Sequence, residues 1–420
     1  MKLKIPINLK ISEPFKIKSF RFQWPADLLA SWGFEMEALI LGWYIFTTTE
    51  SVLLLTAFGA LRFLGALLSP WFGVAGDRWG SRRIMCIMRL LTLVFASFIT
   101  LFDYLGVLST YLVFALATLS GLVQPSEIVL RNSLIGDSMP RELFMKATSF
   151  SRISQDSARI FGALVGAGLF SWIGLGRAYV FVVIIYFISL FLTFGVSQAH
   201  PRKDSFFNKK RSEPETTLHS ELKEGLSYIW NNGPVLAIMC LAFLANLTAF
   251  PVTHGLMPYV AKEVLSLDEN GLGQLLAMFS FGAVAGALIL AATPSQKYST
   301  KLMLINLISW YIMLAIFSSV ESKTNGLIVL FFVGIAHSFA MTSMAVSLLG
   351  FADELVRGRV MGVRVLAIYG VPLGLLASGF LIEYFSYGIF MFIYIAIGIT
   401  ITGIIGIKWR NSLWYSEKGS

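Results

Sequence analysis

A chain of 420 residues that is 56% hydrophobic and only 14% charged falls well below the roughly one-quarter charged content of soluble domains. A mean hydropathy of +0.72 excludes a single soluble domain built around one core. The net charge of +9 would suggest nucleic acid as the partner of a soluble protein; here topology accounts for it, and no nucleic-acid partner is expected. A helix needs roughly 20 apolar residues to cross roughly 30 Å of hydrocarbon, so twelve helices use about 240 residues and leave short loops and one longer connector.

Residues 1–21 carry Lys2, Lys4, Lys10, Lys16, Lys18 and Arg21 ahead of any long apolar run. They read as a basic cytoplasmic arm lying on the anionic inner leaflet. The apolar stretch that follows is too long for a cleavable signal peptide, and no small-residue cleavage site closes it. Six helices are predicted at about 22–48, 51–75, 84–104, 107–130, 144–172 and 177–197, and six more at about 234–260, 269–293, 301–320, 325–350, 359–383 and 387–407. The expected organisation is an N-terminal six-helix bundle over 22–197, a cytoplasmic connector over 198–233, a C-terminal bundle over 234–407 and a cytoplasmic tail over 408–420. The connector holds the one long polar stretch, with Pro201, Lys209-Lys210-Arg211 and Pro214.

Alternate loops differ sharply in charge. One side takes Arg78, Arg82, Arg83, Arg131, Arg141, Lys146, Lys297, Lys301, Arg357, Arg359 and Arg364, together with the basic arm, connector and tail. The other side takes Arg177, Lys262 and Lys323. The ratio is roughly 26 to 3, which under the positive-inside rule puts the first side and both termini in the cytoplasm and makes the number of helices even.

The loop after the second predicted helix reads Gly73-Val74-Ala75-Gly76-Asp77-Arg78-Trp79-Gly80-Ser81-Arg82-Arg83. It resembles the Gly-x-x-x-Asp-Arg-x-Gly-x-Arg-Arg signature between the second and third helices of the major facilitator superfamily. Asp137-Ser138-Met139-Pro140-Arg141-Glu142-Leu143 and Ala158-Arg159-Ile160-Phe161-Gly162 resemble the branch that includes the enterobactin exporter and related drug-efflux proteins, with Arg357-Gly358-Arg359-Val360-Met361-Gly362 as their second-half counterpart. The likeness covers most of 20–407. It departs from that branch at Ala163, where such exporters often carry proline after the helix 5 glycine. The resemblance implies an all-α membrane fold of two six-helix bundles, with the third, sixth, ninth and twelfth helices outermost. It also implies that Asp77, beside Arg78, Arg82 and Arg83, helps hold the two halves together on the cytoplasmic side.

The halves echo each other. Gly162 and Gly166 in the fifth predicted helix match Gly370 and Gly374 in the eleventh, a small-x-x-x-small spacing that lets helix backbones approach closely in lipid.

Ionisable residues within membrane segments normally face a bundle interior or a wet cavity. The cavity candidates are Asp27 and Glu35 in the first helix, Arg62 in the second, and Arg152, Asp156 and Arg159 in the fifth. The last three share one face at i, i+4 and i+7. Glu35 and Glu37 point about 200° apart, so only one can look squarely into a central cavity; Glu35, with no arginine on its own helix, is the preferred proton carrier. Glu127 and Arg131 are read as a structural i, i+4 pair, and Arg89 is expected to snorkel at the cytoplasmic end. The second half offers Asn246, His254 and His337. An ionic half facing an apolar half suits an amphipathic or weakly charged organic substrate, and the arginines favour anionic groups.

The sequence contains no Gly-x-x-x-x-Gly-Lys-Ser/Thr phosphate loop, no metal-ligand spacing and no nucleophile constellation, so neither a cofactor nor an enzymatic role is expected. The reading is a proton-coupled exporter of a small organic molecule, working by alternating access as a monomer in the lipid bilayer of the plasma (inner) membrane. An importer of an organic anion, a lipid flippase and a non-transporting sensor of the same fold remain alternatives.

Overall fold

The computed structural model describes residues 13–124, 127–197, 218–292, 299–353 and 356–414. The described regular structure is helical throughout: α1 Lys18–Thr49, α2 Val52–Leu61, α3 Gly65–Trp79, α4 Ser81–Tyr104, α5 Thr110–Val123, α6 Glu127–Ser138 and α7 Arg141–Phe194, then α8 Leu218–Asn231, α9 Gly233–Thr248, α10 Phe250–His254, α11 Met257–Tyr259, α12 Glu269–Ala292, α13 Ser299–Ser318, α14 Lys323–Phe351, α15 Arg357–Leu366, α16 Gly370–Tyr384, α17 Tyr387–Lys408 and α18 Arg410–Leu413. A π-helical turn, Val260–Val264, follows α11, and a 3-10 turn, Ala367–Tyr369, joins α15 to α16.

Local chemistry explains the starts. Ser51, Ser109, Asn232, Ser322 and Ser386 each accept a hydrogen bond from the backbone N–H three residues on, satisfying a donor that the first turn leaves without a partner. Inside α7 the chain turns at Gly174, whose φ of 76° favours glycine. The long helix is therefore two spans, broken where the fifth and sixth predicted helices meet.

Among the described residues, eight helices are each long and apolar enough to cross a membrane, and the bent α8–α9 pair makes a ninth candidate. One of the eight is the α7 region with its turn at Gly174, which holds two crossings. α1 carries several charges, among them Asp27, Glu35 and Glu37, and α2 and α3 are interrupted between Leu61 and Gly65; counting α1 and the α2–α3 pair makes twelve. α4, the second half of α7, α13 and α17 each present exposed apolar side chains, among them Ile87 and Phe98, Phe187 and Phe191, Ile305 and Ile312, and Phe392 and Ile407, as lipid-facing helices require.

The structure adds detail at two of the expected segments. α8 occupies the end of the connector and meets α9 at 106°. Part of the basic arm belongs to the fold. Residues 13–21 pack on the α6–α7 junction, where Phe15, Phe20, Trp24 and Phe150 stack edge to face at 5.0–6.4 Å and Lys146 pairs with Glu13 at 2.5 Å.

Contacts divide the chain into two compact units. Unit 1 comprises Met1–Glu37, Leu64–Ala158 and Gly176–Ser205; unit 2 comprises Ala38–Phe63, Arg159–Leu175 and Phe206–Ser420. In unit 2, α12 and α14 meet backbone to backbone: a Cβ at Gly334 would strike the Phe279 carbonyl, and one at Gly282 the Phe331 carbonyl.

Candidate functional site

Within unit 1, four charges from three helices lie together in the interior. Arg89 of α4 donates to Asp27 of α1 at 2.5 Å and reaches Glu127 of α6 at 3.6 Å, while Arg131 of α6 lies 3.4 Å from Asp27. Their side chains are only 3–8% exposed. Neutral groups join the shell: Arg89 donates to Thr193 Oγ1 at 2.5 Å, Arg131 to Ser31 Oγ at 3.3 Å, and Gln23 to the Arg131 carbonyl at 3.1 Å. Two carboxylates thus share two guanidiniums, a balanced set in a medium where an uncompensated ion is costly.

This geometry overturns two expectations. Arg89 does not snorkel; it is 3% exposed because Asp27 and Glu127 draw it inward. Arg131 is a buried residue of α6 and not a loop cation; Glu127 and Arg131 reach other helices, in keeping with the structural role read for the pair. A third buried carboxyl, Glu37, is 5% exposed and accepts hydrogen bonds from Tyr186 at 2.8 Å and Gln124 at 3.5 Å. Glu35, two residues earlier, is half-buried. The roughly 200° between them puts Glu37, not Glu35, in the packed interior.

The charged motif sits at the α3–α4 junction, also in unit 1. Gly80, with φ 93°, makes a turn that an L side chain rarely adopts. A Cβ at Gly76 would meet Leu130 of α6 at 2.6 Å. Arg82 donates to the Phe194 carbonyl at the end of α7, where a cation suits both the unsatisfied carbonyls and the helix dipole. Arg78 and Arg83 are exposed. Gly73 and Asp77 lie on α3, and the side chain of Asp77 is outside the described residues.

The helix 5 set divides between the units. In unit 1, Arg152 pairs with Asp156 at 3.6 Å, the arginine side chain 70% exposed. In unit 2, Arg159 and Arg62 lie close enough to His254 to act on it electrostatically. His254 bonds Thr253 Oγ1 through Nδ1 at 2.9 Å and packs against Phe250 at 4.7 Å. His337 of α14 lies 5.2 Å from Phe250 and 4.8 Å from Trp310, so the two histidines join one ring cluster. Asn246 is turned back on its own helix, donating to the Ala242 carbonyl at 2.8 Å.

The glycine echo has unequal detail. A Cβ at Gly370 would lie 2.7 Å from the Phe243 carbonyl, and one at Gly374 would collide with the Leu247 carbonyl, so α16 packs on the backbone of α9. Gly162 and Gly166 are buried on α7. On that stretch Ala163 and Ala167 are the residues that meet Gly273 of α12.

Comparison with known proteins agrees with this architecture. The family model of the Major Facilitator Superfamily matches residues 24–370. An uncharacterized MFS-type transporter, YuxJ of Bacillus subtilis (strain 168), is 24% identical over 348 residues, spanning 78% of this chain and 81% of that protein. Among solved structures, the nucleoside transporter NupG superposes with a TM-score of 0.74 at 12% identity, covering 92% of this chain and 99% of its own. The POT family transporter PepTSo gives 0.72 at 12% identity, covering 96% and 99%. At such identity these structures bear on the fold alone.

Proposed function

Since this chain belongs to the Major Facilitator Superfamily, and is therefore a multi-pass membrane transporter and not an enzyme, we propose that it exports a small organic molecule in exchange for protons. Two bundles, 22–197 and 234–407, rock about a central cavity in the plasma (inner) membrane, with both termini cytoplasmic and the monomer as the working unit. Asp77 and its neighbouring arginines latch the cytoplasmic side in one phase of the cycle. The enterobactin-exporter and drug-efflux branch, which the motifs at 137–143 and 158–162 resemble, supplies the functional analogy.

The observation that carries the coupling is the Asp27–Arg89–Glu127–Arg131 cluster. Protonating either carboxylate leaves one guanidinium without its counter-charge inside the membrane. Such an imbalance costs several kcal/mol unless the helices move or an anion arrives. Proton uptake is thereby tied to a change of conformation. Glu35, half-buried on the same helix as Asp27, is the second candidate to carry the proton.

The test compares cells lacking the protein with cells expressing wild type, Asp27→Asn or Glu35→Gln, sampling cytosol and medium by mass spectrometry. A compound that accumulates inside the null cells and falls in their medium is expected. In proteoliposomes, a pH gradient drives its movement through wild type, whereas Asp27→Asn retains only exchange of labelled for unlabelled substrate. The opposite shift between cytosol and medium makes the protein an importer. A pH-independent wild type removes proton coupling.

A further inference from the structure

We propose that the cargo is a planar aromatic anion, recognised in unit 2 by a ring cluster joined to two arginines; this rests on the transporter reading above. Five rings from four helices meet there. Phe250 and His254 stand i, i+4 on α10, so they share one face. Trp310 of α13 and His337 of α14 lie behind Phe250, each at 5.2 Å, and Phe279 of α12 closes the group at 6.3 Å from His254 and 5.4 Å from His337. Most of these contacts are edge to face, the arrangement that the ring quadrupole favours.

Exposure separates wall from binding face. Trp310, Phe279 and His337 are 0%, 4% and 8% exposed, so the back of the cluster is full. Phe250 and His254 are only half-buried. A flat ring laid against them would extend the edge-to-face packing by one member, which a saturated chain of equal area cannot do. The hydrogen bond between Thr253 Oγ1 and His254 Nδ1 holds the imidazole plane in advance, reducing the ordering that binding would require.

Charge selects the other end of the ligand. Arg62 and Arg159, both half-buried, act together on His254, and Arg62 sits 5.9 Å over the Phe58 ring. Two guanidiniums within electrostatic reach of His254 add positive potential whose effect grows as the dielectric falls. A planar carboxylate matches the guanidinium fork in two-bond geometry. An aromatic cation would meet repulsion at the same place. The arginines lie on α7 and beside α2, and the rings on α10, α12, α13 and α14, so a molecule bridging acid and ring spans segments drawn from both ends of the sequence.

The experiment uses the purified full-length protein and four probes: 2-naphthoate, neutral 2-naphthamide, cationic 2-naphthylmethylamine and aliphatic octanoate. Binding is read by ligand-dependent melting and by equilibrium titration. The expected order places 2-naphthoate first. Arg159→Gln should weaken 2-naphthoate about tenfold or more, as loss of a charge-assisted bond implies, and leave 2-naphthamide within about twofold. Arg159→Lys should recover part of the loss, and Phe250→Leu should weaken 2-naphthoate more than octanoate. If Arg159→Gln fails to fold, Arg62→Gln gives the same contrast.

Three results would overturn the proposal: 2-naphthylmethylamine or octanoate binding as tightly as 2-naphthoate, no binding of any naphthalene probe up to its solubility limit, or Arg62→Gln and Arg159→Gln together leaving the order unchanged. A transported compound that is aliphatic or cationic also overturns it while the transporter reading stands. Conversely, Arg159-dependent binding of 2-naphthoate with no compound moving across the membrane sinks the transporter reading and keeps the site.

Discussion

In unit 1 the deeply buried polar side chains include Asp27, Glu37, Arg89, Glu127 and Arg131; among the described residues of unit 2 they are hydroxyls and one imidazole, such as Thr248, Ser343, Ser378, Thr402 and His337. The two solutions have different mechanical consequences. A hydroxyl can satisfy itself on its own helix, as Ser280 does on the Leu276 carbonyl and Ser378 on the Leu375 carbonyl, and then asks nothing of its neighbours. An ion cannot. Arg89 of α4 draws its partners from α1, α6 and the end of α7, which ties those helices together. Unit 2 is held instead by contour, with glycines admitting neighbouring backbones.

The largest effect that follows is in unit 1. Arg89→Met leaves Asp27 and Glu127 facing Arg131 alone, and removing one partner of a buried ion set destabilises by about 3–5 kcal/mol. Loss of the monodisperse peak in fluorescence-detected size exclusion, or a collapse of the melting temperature, reports it. The double variant Arg89→Met with Asp27→Leu restores one acid against one base and should recover most of that stability. A double variant as damaged as the single would mean that shape rather than charge balance holds these helices together.

Next comes the packing of unit 2. Gly374→Val drives a branched side chain into the Leu247 carbonyl and the Pro251 ring, an overpacking worth about 1–3 kcal/mol. Gly350→Ala is the control, since a Cβ there meets nothing within 4 Å. Thermal melts of the two variants side by side separate a packing defect from a general intolerance of glycine replacement. Equal losses would deny unit 2 its reliance on close backbone approach.

How much of this was legible beforehand differs by the kind of signal. Apolar runs located the helices, and Gly174 lies in the short gap left between the fifth and sixth predicted helices, because span length and turn chemistry are local properties. Arg89 and Arg131 were misread because their partner Asp27 is remote in sequence, and no pattern in a single chain announces a pairing of that range. Helix geometry already put Glu35 and Glu37 on different faces; that Glu37 is the one packed against Tyr186 depends again on a distant residue. α8 did have a local signal, with Leu218, Leu222, Leu226 and Ile229 at helical spacing, but its polar composition hid it among connector residues. For the aromatic cluster, His254 and His337 were visible as isolated residues, whereas their grouping with Phe250, Phe279 and Trp310 depends on four helices meeting.

The smallest effect sharpens the comparison most, because it concerns an exposed ion pair described in unit 2. Lys262 lies 3.8 Å from Glu50 and 5.4 Å from the centre of the Phe46 ring, with the glutamate side chain 81% exposed. Such an exposed pair is worth about 0.2–1 kcal/mol, and the ring contact adds about 0.5–1 kcal/mol. Glu50 also holds φ at 52°, a left-handed conformation that costs a non-glycine residue roughly 1–2 kcal/mol. The two halves of the pair should therefore respond differently. Lys262→Ala loses the pair and the ring contact and lowers stability slightly. Glu50→Gly loses the pair but relieves the backbone, so its melting temperature stays near that of wild type. Equal destabilisation by both would assign the contact more weight than an exposed ion pair carries. It would also place in unit 2 an ionic tie of the kind that Arg89 makes in unit 1, and the contrast between the units would fail at that point.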